Sequence, residues 1–117
     1  MNDQNAVKKI APYPIPADVM KAEGQPPLKE SIVKLTEIGF IMRVDAHHFY
    51  KIGEDYTILF QLPVLSTSIQ AHGKVIKTYS NPREHLVEIH FRSLGDRERG
   101  AIHNFLVKIG QQTHQHE

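Results

Sequence analysis

Ile32-Val33-Lys34-Leu35-Thr36-Glu37-Ile38-Gly39-Phe40-Ile41-Met42 is the stretch whose reading decides the fold. Two apolar runs flank a polar break at residues 36–39, and the break ends in glycine. Apolar runs this short, bounded by turn residues, read as strands rather than helices. Residues 28–35 and 40–44 are therefore expected to be two strands flanking a tight turn. Gly39 suits a turn that needs either a positive φ or a close approach of two backbones.

The same reading extends in both directions. Tyr56-Thr57-Ile58-Leu59-Phe60-Gln61-Leu62 is rich in β-formers and stops at Pro63. Residues 69–79 alternate in part, Ser80-Asn81-Pro82-Arg83 has hairpin-turn composition, and Leu86-Val87-Glu88-Ile89-His90-Phe91 returns from it. Upstream, Pro12-Tyr13-Pro14-Ile15-Pro16 carries alternate prolines, which belong on a sheet edge or in an extended run. Residues 17–22 are expected to continue as a first strand, closed by a turn at Gly24-Gln25-Pro26-Pro27. Short strands at this spacing predict a barrel or sandwich.

After residue 94 the period changes. Ile102, Phe105, Leu106 and Ile109 fall on one face of a helix expected from about Asp96 to Ile109, and they should be mostly buried, with the helix packed on the barrel. Asp96 and Glu98 in the first turn and Lys108 in the last suit the helix dipole. Gly110 is the expected C-terminal cap.

Composition narrows the function classes. A chain of 117 residues supports one domain with its own core. The absence of cysteine excludes disulfides, thiolate chemistry and sulfur-ligated zinc. Fourteen basic against 13 acidic residues give no global pull toward nucleic acid or membrane. No apolar stretch reaches the roughly 18–20 residues of a membrane span, so no membrane insertion is expected. The polar N-terminus, with Lys8-Lys9 and no apolar segment behind it, is unlike a secretory signal, which makes a cytoplasmic protein the expectation.

The order of these pieces resembles the PilZ family. The pieces are the 36–39 turn, Gly53-Glu54-Asp55-Tyr56, the strand ending at Leu62-Pro63, His72-Gly73-Lys74-Val75-Ile76, and Val87-Glu88-Ile89-His90-Phe91. The archetype of that family is a small bacterial receptor for cyclic di-GMP. The resemblance covers residues 13–109. It implies a mainly β fold, a six- or seven-stranded antiparallel PilZ-like β-barrel with a C-terminal α-helix. The expected organisation is a flexible N-terminal segment at 1–11, barrel and helix at 12–110, and a frayed tail at 111–117.

The resemblance also singles out the ligand positions, and most of them depart from the family pattern. The motif Asp/Asn-x-Ser-x-x-Gly aligns with Lys34-Leu35-Thr36-Glu37-Ile38-Gly39. Gly39 is kept and Thr36 retains a hydroxyl. Lys34 stands where the family has an acceptor for guanine, and an ammonium has donors only. The motif Arg-x-x-x-Arg places its arginines at Lys8 and Pro12. Lysine lacks the planar fork and stacking face of arginine, and proline supplies neither. Losing two or three charge-assisted contacts of about 1.5–3 kcal/mol each would weaken a micromolar site by several orders of magnitude. The degenerate site is thus Lys8, Lys9, Lys34, Thr36 and Gly39, with Arg43 as a further cation.

The implied function is a non-enzymatic PilZ-domain regulator in bacterial signalling that controls motility, type IV pili, biofilm or virulence. It would bind another signalling or motility protein as an adaptor, with weak or no binding of cyclic di-GMP and no other cofactor. The alternative is a divergent but genuine cyclic-di-GMP receptor. A third reading, a nucleic-acid-binding barrel using Lys74, Lys77, Arg83 and Arg92, has no aromatic-basic motif behind it.

Other chemistry finds little support. Among the eight histidines, His47 and His48 are adjacent and diverge in a strand. His114 and His116 share a side only in an extended tail, and His72, His85 and His90 are expected on separate strands. No metal site is expected. No nucleophile elbow, phosphate-binding glycine loop or His-Glu-x-x-His is present. Asp45 near His47 and His48 reads as loop polarity. His48-Phe49-Tyr50 offers two aromatics either to cap the barrel or to anchor a partner.

Overall fold

Period-2 alternation closes six strands into a barrel among the described residues, 12–63 and 65–114 of a computed structural model. The strands are β1 (Ile15–Met20), β2 (Leu28–Leu35), β3 (Gly39–Val44), β4 (Asp55–Leu62), β5 (Thr67–Ser80) and β6 (His85–Ser93). They run antiparallel around the barrel in the order β1-β2-β3-β6-β5-β4, and β4 pairs back onto β1. The first strand begins two residues earlier than the sequence suggested, because Ile15 pairs with Ile32 and points inward.

β4 shows the inside-outside logic most plainly. Tyr56, Ile58, Phe60 and Leu62 are buried, while the residues between them face outward. Ile15, Ala17 and Val19 of β1, Ile69, Ala71 and Val75 of β5, and Val87 and Ile89 of β6 complete the core. Phe40 packs edge-on against Phe60 with centroids 5.9 Å apart, and it tilts onto Phe91 at 5.8 Å.

β2 breaks the alternation, with consequences for the site. Glu30 and Ile32 face inward, so strict period 2 would turn Lys34 inward too. A register shift between Ile32 and Lys34 resets the pattern. Leu35 then fills the core and Lys34 reaches the outer face.

The chain closes the barrel with α1 (Asp96–His114). The Gly95 carbonyl accepts from Arg99 N at 2.9 Å and starts the helix. Ile102 and Phe105 are fully buried over one end of the barrel, and Leu106 and Ile109 are half-buried against the same core. Gly110 is not the cap expected of it, because the helix continues through it to His114. Residues 1–11 and 115–117 lie outside the described residues, so the expected mobile segment at 1–11 and His116 do too.

Candidate functional site

The 36–39 turn joins β2 to β3 at the end of the barrel covered by α1. One hydroxyl holds it. Thr36 Oγ1 donates to the Gly39 carbonyl at 3.1 Å and accepts from Gly39 N at 3.2 Å and Ile38 N at 3.3 Å. Thr36 N also donates to Gly39 O at 2.8 Å. A hydroxyl has one proton and two lone pairs, and all are occupied here. The retained hydroxyl therefore shapes the turn and has nothing left over for a ligand.

Gly39 is needed for close approach. The positive-φ glycines are Gly24 and Gly53, not Gly39. A Cβ on Gly39 would lie 2.0 Å from the Ile89 carbonyl oxygen and 2.8 Å from His90 Cα. Of the two reasons the sequence offered for this glycine, the tight packing of β3 on β6 is the operative one. Phe91 N donates to Ile38 O at 2.9 Å and fastens the turn to β6.

The outer surface beside the turn holds a shallow hollow of about 140 Å3, lined by Lys34, Thr36, Ile38, Ile41, Glu88 and His90 among others. Strand register creates it, since Lys34 lies opposite Ile41 and Ile41 opposite Glu88. Glu88 Oε2 lies 3.1 Å from His90 Nε2, and Glu88 Oε1 accepts from Tyr79 OH at 3.2 Å. The Lys34 ammonium is exposed and has no partner among the described residues. The sequence reading missed Glu88 and His90. Only the β3–β6 pairing, which sets Glu88 opposite Ile41 from 47 residues further along the chain, carries them to the turn.

Of the two positions of the first family motif, only Pro12 is among the described residues. Tyr13 OH accepts from Leu35 N at 3.0 Å and donates to Leu35 O at 3.5 Å, so Pro12 and Tyr13 lie alongside the end of β2. Burial pushes the Tyr13 hydroxyl above its ordinary pKa, and the Leu35 backbone bond partly opposes this. Lys8 and Lys9 lie outside the described residues. Arg43 does not join the hollow. It sits further along β3, bonded to Glu84 at 3.2 Å.

The opposite end of the barrel has different chemistry. Glu30 is buried, with its side chain only 1% exposed. It accepts from Tyr50 OH at 2.5 Å and Asp45 N at 3.2 Å, and its Oε2 lies 2.7 Å from His48 Nδ1. Burial, and then the Glu30 bond, push the Tyr50 hydroxyl far above its usual range. Asp45 takes His47 instead, accepting from His47 N at 2.8 Å, and this backbone bond holds its carboxyl below the ordinary value. The two adjacent histidines are thus divided between two carboxylates. His85 and His90 share β6 rather than lying on separate strands, and no group of three metal-ligating side chains occurs among the described residues. Of the two aromatics, Tyr50 caps the barrel and Phe49 faces solvent.

The cations of the nucleic-acid reading form no continuous stripe. Arg92 is paired with Asp55 at 2.9 Å, Lys77 lies 5.9 Å from the Tyr79 ring centroid, and Glu88 pairs in register with Lys77. No helix of the described residues is long and apolar enough to cross a membrane.

No protein-family model matches the sequence, and no curated protein matches it significantly. Solved structures do. The Bacillus subtilis inhibitor of motility, MotI/DgrA, superposes with a TM-score of 0.77 at 9% identity, over 87% of this chain and 49% of that one. Escherichia coli YcgR in complex with c-di-GMP gives 0.74 at 10% identity, over 90% of this chain and 45% of YcgR. The chain thus spans about half the length of these two proteins. The isolated PilZ domain of YcgR with c-di-GMP gives 0.66 at 8% identity, over 88% of this chain and 87% of the domain. The closed six-stranded barrel with its C-terminal helix is a PilZ-like fold.

Proposed function

We propose that this chain is a non-enzymatic regulatory module of bacterial cyclic-di-GMP-type signalling that works through a protein partner and binds the nucleotide weakly or not at all. The carrying observation is Lys34. The bulge in β2 turns this cation, which has no partner among the described residues, outward at the position where the resemblance calls for a guanine acceptor. Guanine presents N–H donors on its Watson–Crick edge, so a cation there opposes binding. The hollow beside it, about 140 Å3, is small for a two-guanine ligand, and the Thr36 hydroxyl is already spent on the turn. Among the proteins of the same fold, one is an inhibitor of motility and another is complexed with c-di-GMP, which supports signalling as the setting. Motility, type IV pili, biofilm and virulence are the outputs to which the resemblance points.

The second reading, a divergent cyclic-di-GMP receptor, draws on the intact turn and on the convergence of Tyr13 with Leu35. Calorimetric titration with cyclic di-GMP separates the two. The expected outcome is no saturable binding by the native chain. The triple variant Lys8→Arg, Pro12→Arg, Lys34→Asp should gain affinity, because it supplies the fork donors and the acceptor. Sub-micromolar binding by the native chain at physiological salt would overturn the adaptor reading. Weak binding lost steeply with salt would point to a nonspecific lysine patch.

A further inference from the structure

β5 outruns the strand beside it. Its pairing with β4 covers Thr67 to Lys74, whereas its pairing with β6 continues to Ser80. Two backbone bonds extend the short side by one residue: Gly53 N donates to Val75 O at 2.8 Å, and Val75 N donates to Glu54 O at 2.9 Å. Beyond Val75, residues 76–80 have β6 on one side and no strand on the other among the described residues. This open edge is about five residues, or roughly 17 Å, long. Its free N–H and C=O groups are satisfied only by water or by another extended chain.

The side chains around the edge select the kind of chain. Lys51 stands in the turn that abuts Val75, Lys74 lies just before the edge, and Lys77 lies within it. The Lys51 and Lys74 ammonium groups have no partner among the described residues, and Lys77 meets only the Tyr79 ring, 5.9 Å from its centroid. The carboxylates of the flanking elements are all engaged. Glu54 accepts from Tyr56 OH at 2.6 Å, Asp55 pairs with Arg92 at 2.9 Å, and Glu84 pairs with Arg43 at 3.2 Å. Glu88 is held between Tyr79 OH and His90. The uncompensated charge along the edge is therefore positive. A second copy is disfavoured there, because pairing two such edges brings two sets of lysines together with no free carboxylate between them.

We propose that the 76–80 edge of β5 takes an extended acidic segment of a partner protein as an added strand. The backbone of that segment continues the ladder past the end of β4, and carboxylates on alternate residues meet Lys74 and Lys77. Edge hydrogen bonds supply the fit and the lysines supply the choice of partner. The proposal rests on the reading of this chain as a protein-binding module and names the chemistry of the partner. Lys34, in the hollow beside the 36–39 turn, takes no part. A nucleic acid shares the negative charge but has no backbone that joins a sheet ladder.

Amide chemical shifts of the isotope-labelled chain, titrated with a capped peptide of about seven residues alternating glutamate with valine, test the proposal. Saturable shifts should centre on residues 74–80, and amide exchange along the edge should slow. The glutamine counterpart of the peptide should bind about tenfold more weakly, as should the glutamate peptide to the double variant Lys74→Gln, Lys77→Gln. Circular dichroism confirms that this variant is folded. A glutamate peptide N-methylated on the residues that face the edge keeps its charge but cannot donate to the ladder, so its binding should be lost. No saturable shift at millimolar peptide overturns the proposal. Equal binding by the glutamine or the N-methylated peptide overturns it as well, as do shifts centred on Lys34 or Lys108. Tighter binding of a single-stranded oligonucleotide than of the peptide also overturns it and assigns the lysines to nucleic acid. Failure here is distinct from failure of the reading beneath it. A chain that binds neither peptide nor cyclic di-GMP removes this edge alone, whereas sub-micromolar nucleotide binding removes the reading itself.

Discussion

At one end of the barrel, the 36–39 turn is closed by a hydroxyl and a glycine. At the other, the loop from Asp45 to Glu54 is closed by a buried carboxylate. The turn uses no buried charge for its shape: Thr36 satisfies it, β6 backs it without room for a Cβ at Gly39, and its Glu37 makes only an exposed contact with His103 of α1. The loop depends on Glu30, whose oxygens gather Asp45 N, His48 and Tyr50. The difference teaches that shape and ligand chemistry are separable at the turn. Its geometry follows from Thr36 and Gly39, while the outward cation at Lys34 is set by a bulge upstream. The loop instead couples its shape to a buried ionisable group, so its order is the more sensitive to one side chain's chemistry.

Steric substitution at the turn should have the largest effect. Gly39→Val places a Cβ on the Ile89 carbonyl oxygen, a backbone atom that cannot swing aside. The β3–β6 ladder must separate locally, and about 3 kcal/mol or more of stability should be lost. Gly53→Ala at the other end should cost only about 1 kcal/mol. Its φ of +94° is strained for alanine, but nothing lies within 4 Å of the added Cβ. Thermal melts of the two variants rank the ends directly. Equal shifts would show that contact with β6 is not what fixes Gly39.

Removing the buried carboxylate comes next. Glu30→Ala strands the buried Tyr50 hydroxyl and releases the Asp45 amide and His48, and about 2–3 kcal/mol should be lost. Glu30→Gln keeps an acceptor and should lose less. Hydrogen exchange should rise across residues 45–50 and stay unchanged at 36–39. Faster exchange at both ends would mean that the two closures are not independent.

How much of this was legible in the sequence depends on the range of the interactions. The strands on either side of Thr36 and Gly39, the stop at Pro63 and the face of α1 follow from local pattern. The placement of Lys34 does not, because the bulge that turns it outward is a property of pairing between β2 and β3. Glu30 was hidden for a related reason. A glutamate inside an alternating strand carries no sign that its partners are 15 to 20 residues away. Glu88 and His90 reach the hollow only through the β3–β6 register. Gly110 misled because a glycine near a helix end is permissive of a stop without requiring one.

Alkaline pH should draw on the loop end through two tyrosines and on the turn end through one, Tyr13. Burial, then the bond to Glu54, pushes the Tyr56 hydroxyl up to about 12, and Tyr50 is raised further by burial and Glu30. Both are neutral in the fold at a pH where the unfolded chain has begun to ionise. The Tyr56 contribution is therefore fully present below about pH 10 and is lost as pH rises through about 12, while that of Tyr50 begins to fall over the same range and persists beyond it. Unfolding curves between pH 9 and 12 should show stability falling, with a shallower fall in Tyr50→Phe. A fall of the same steepness in that variant would remove Tyr50 from the account.

The smallest effect is expected one residue away from a larger one. Tyr50→Phe keeps the ring that packs edge-on against Tyr56 at 5.4 Å but deletes the donor to Glu30, and about 1–2 kcal/mol should be lost. Phe49→Ala deletes a larger apolar group, yet that group is mostly in water already, so stability should change by less than about 0.5 kcal/mol. Adjacent aromatics in one loop would then differ because one faces the barrel and the other faces out. Thermal melts of the two variants in one buffer and at one concentration make the comparison direct. A loss for Phe49→Ala equal to that for Tyr50→Phe under those conditions would place the Phe49 ring against its own barrel. The loop would then lose its outward anchor, and its order would be structural alone.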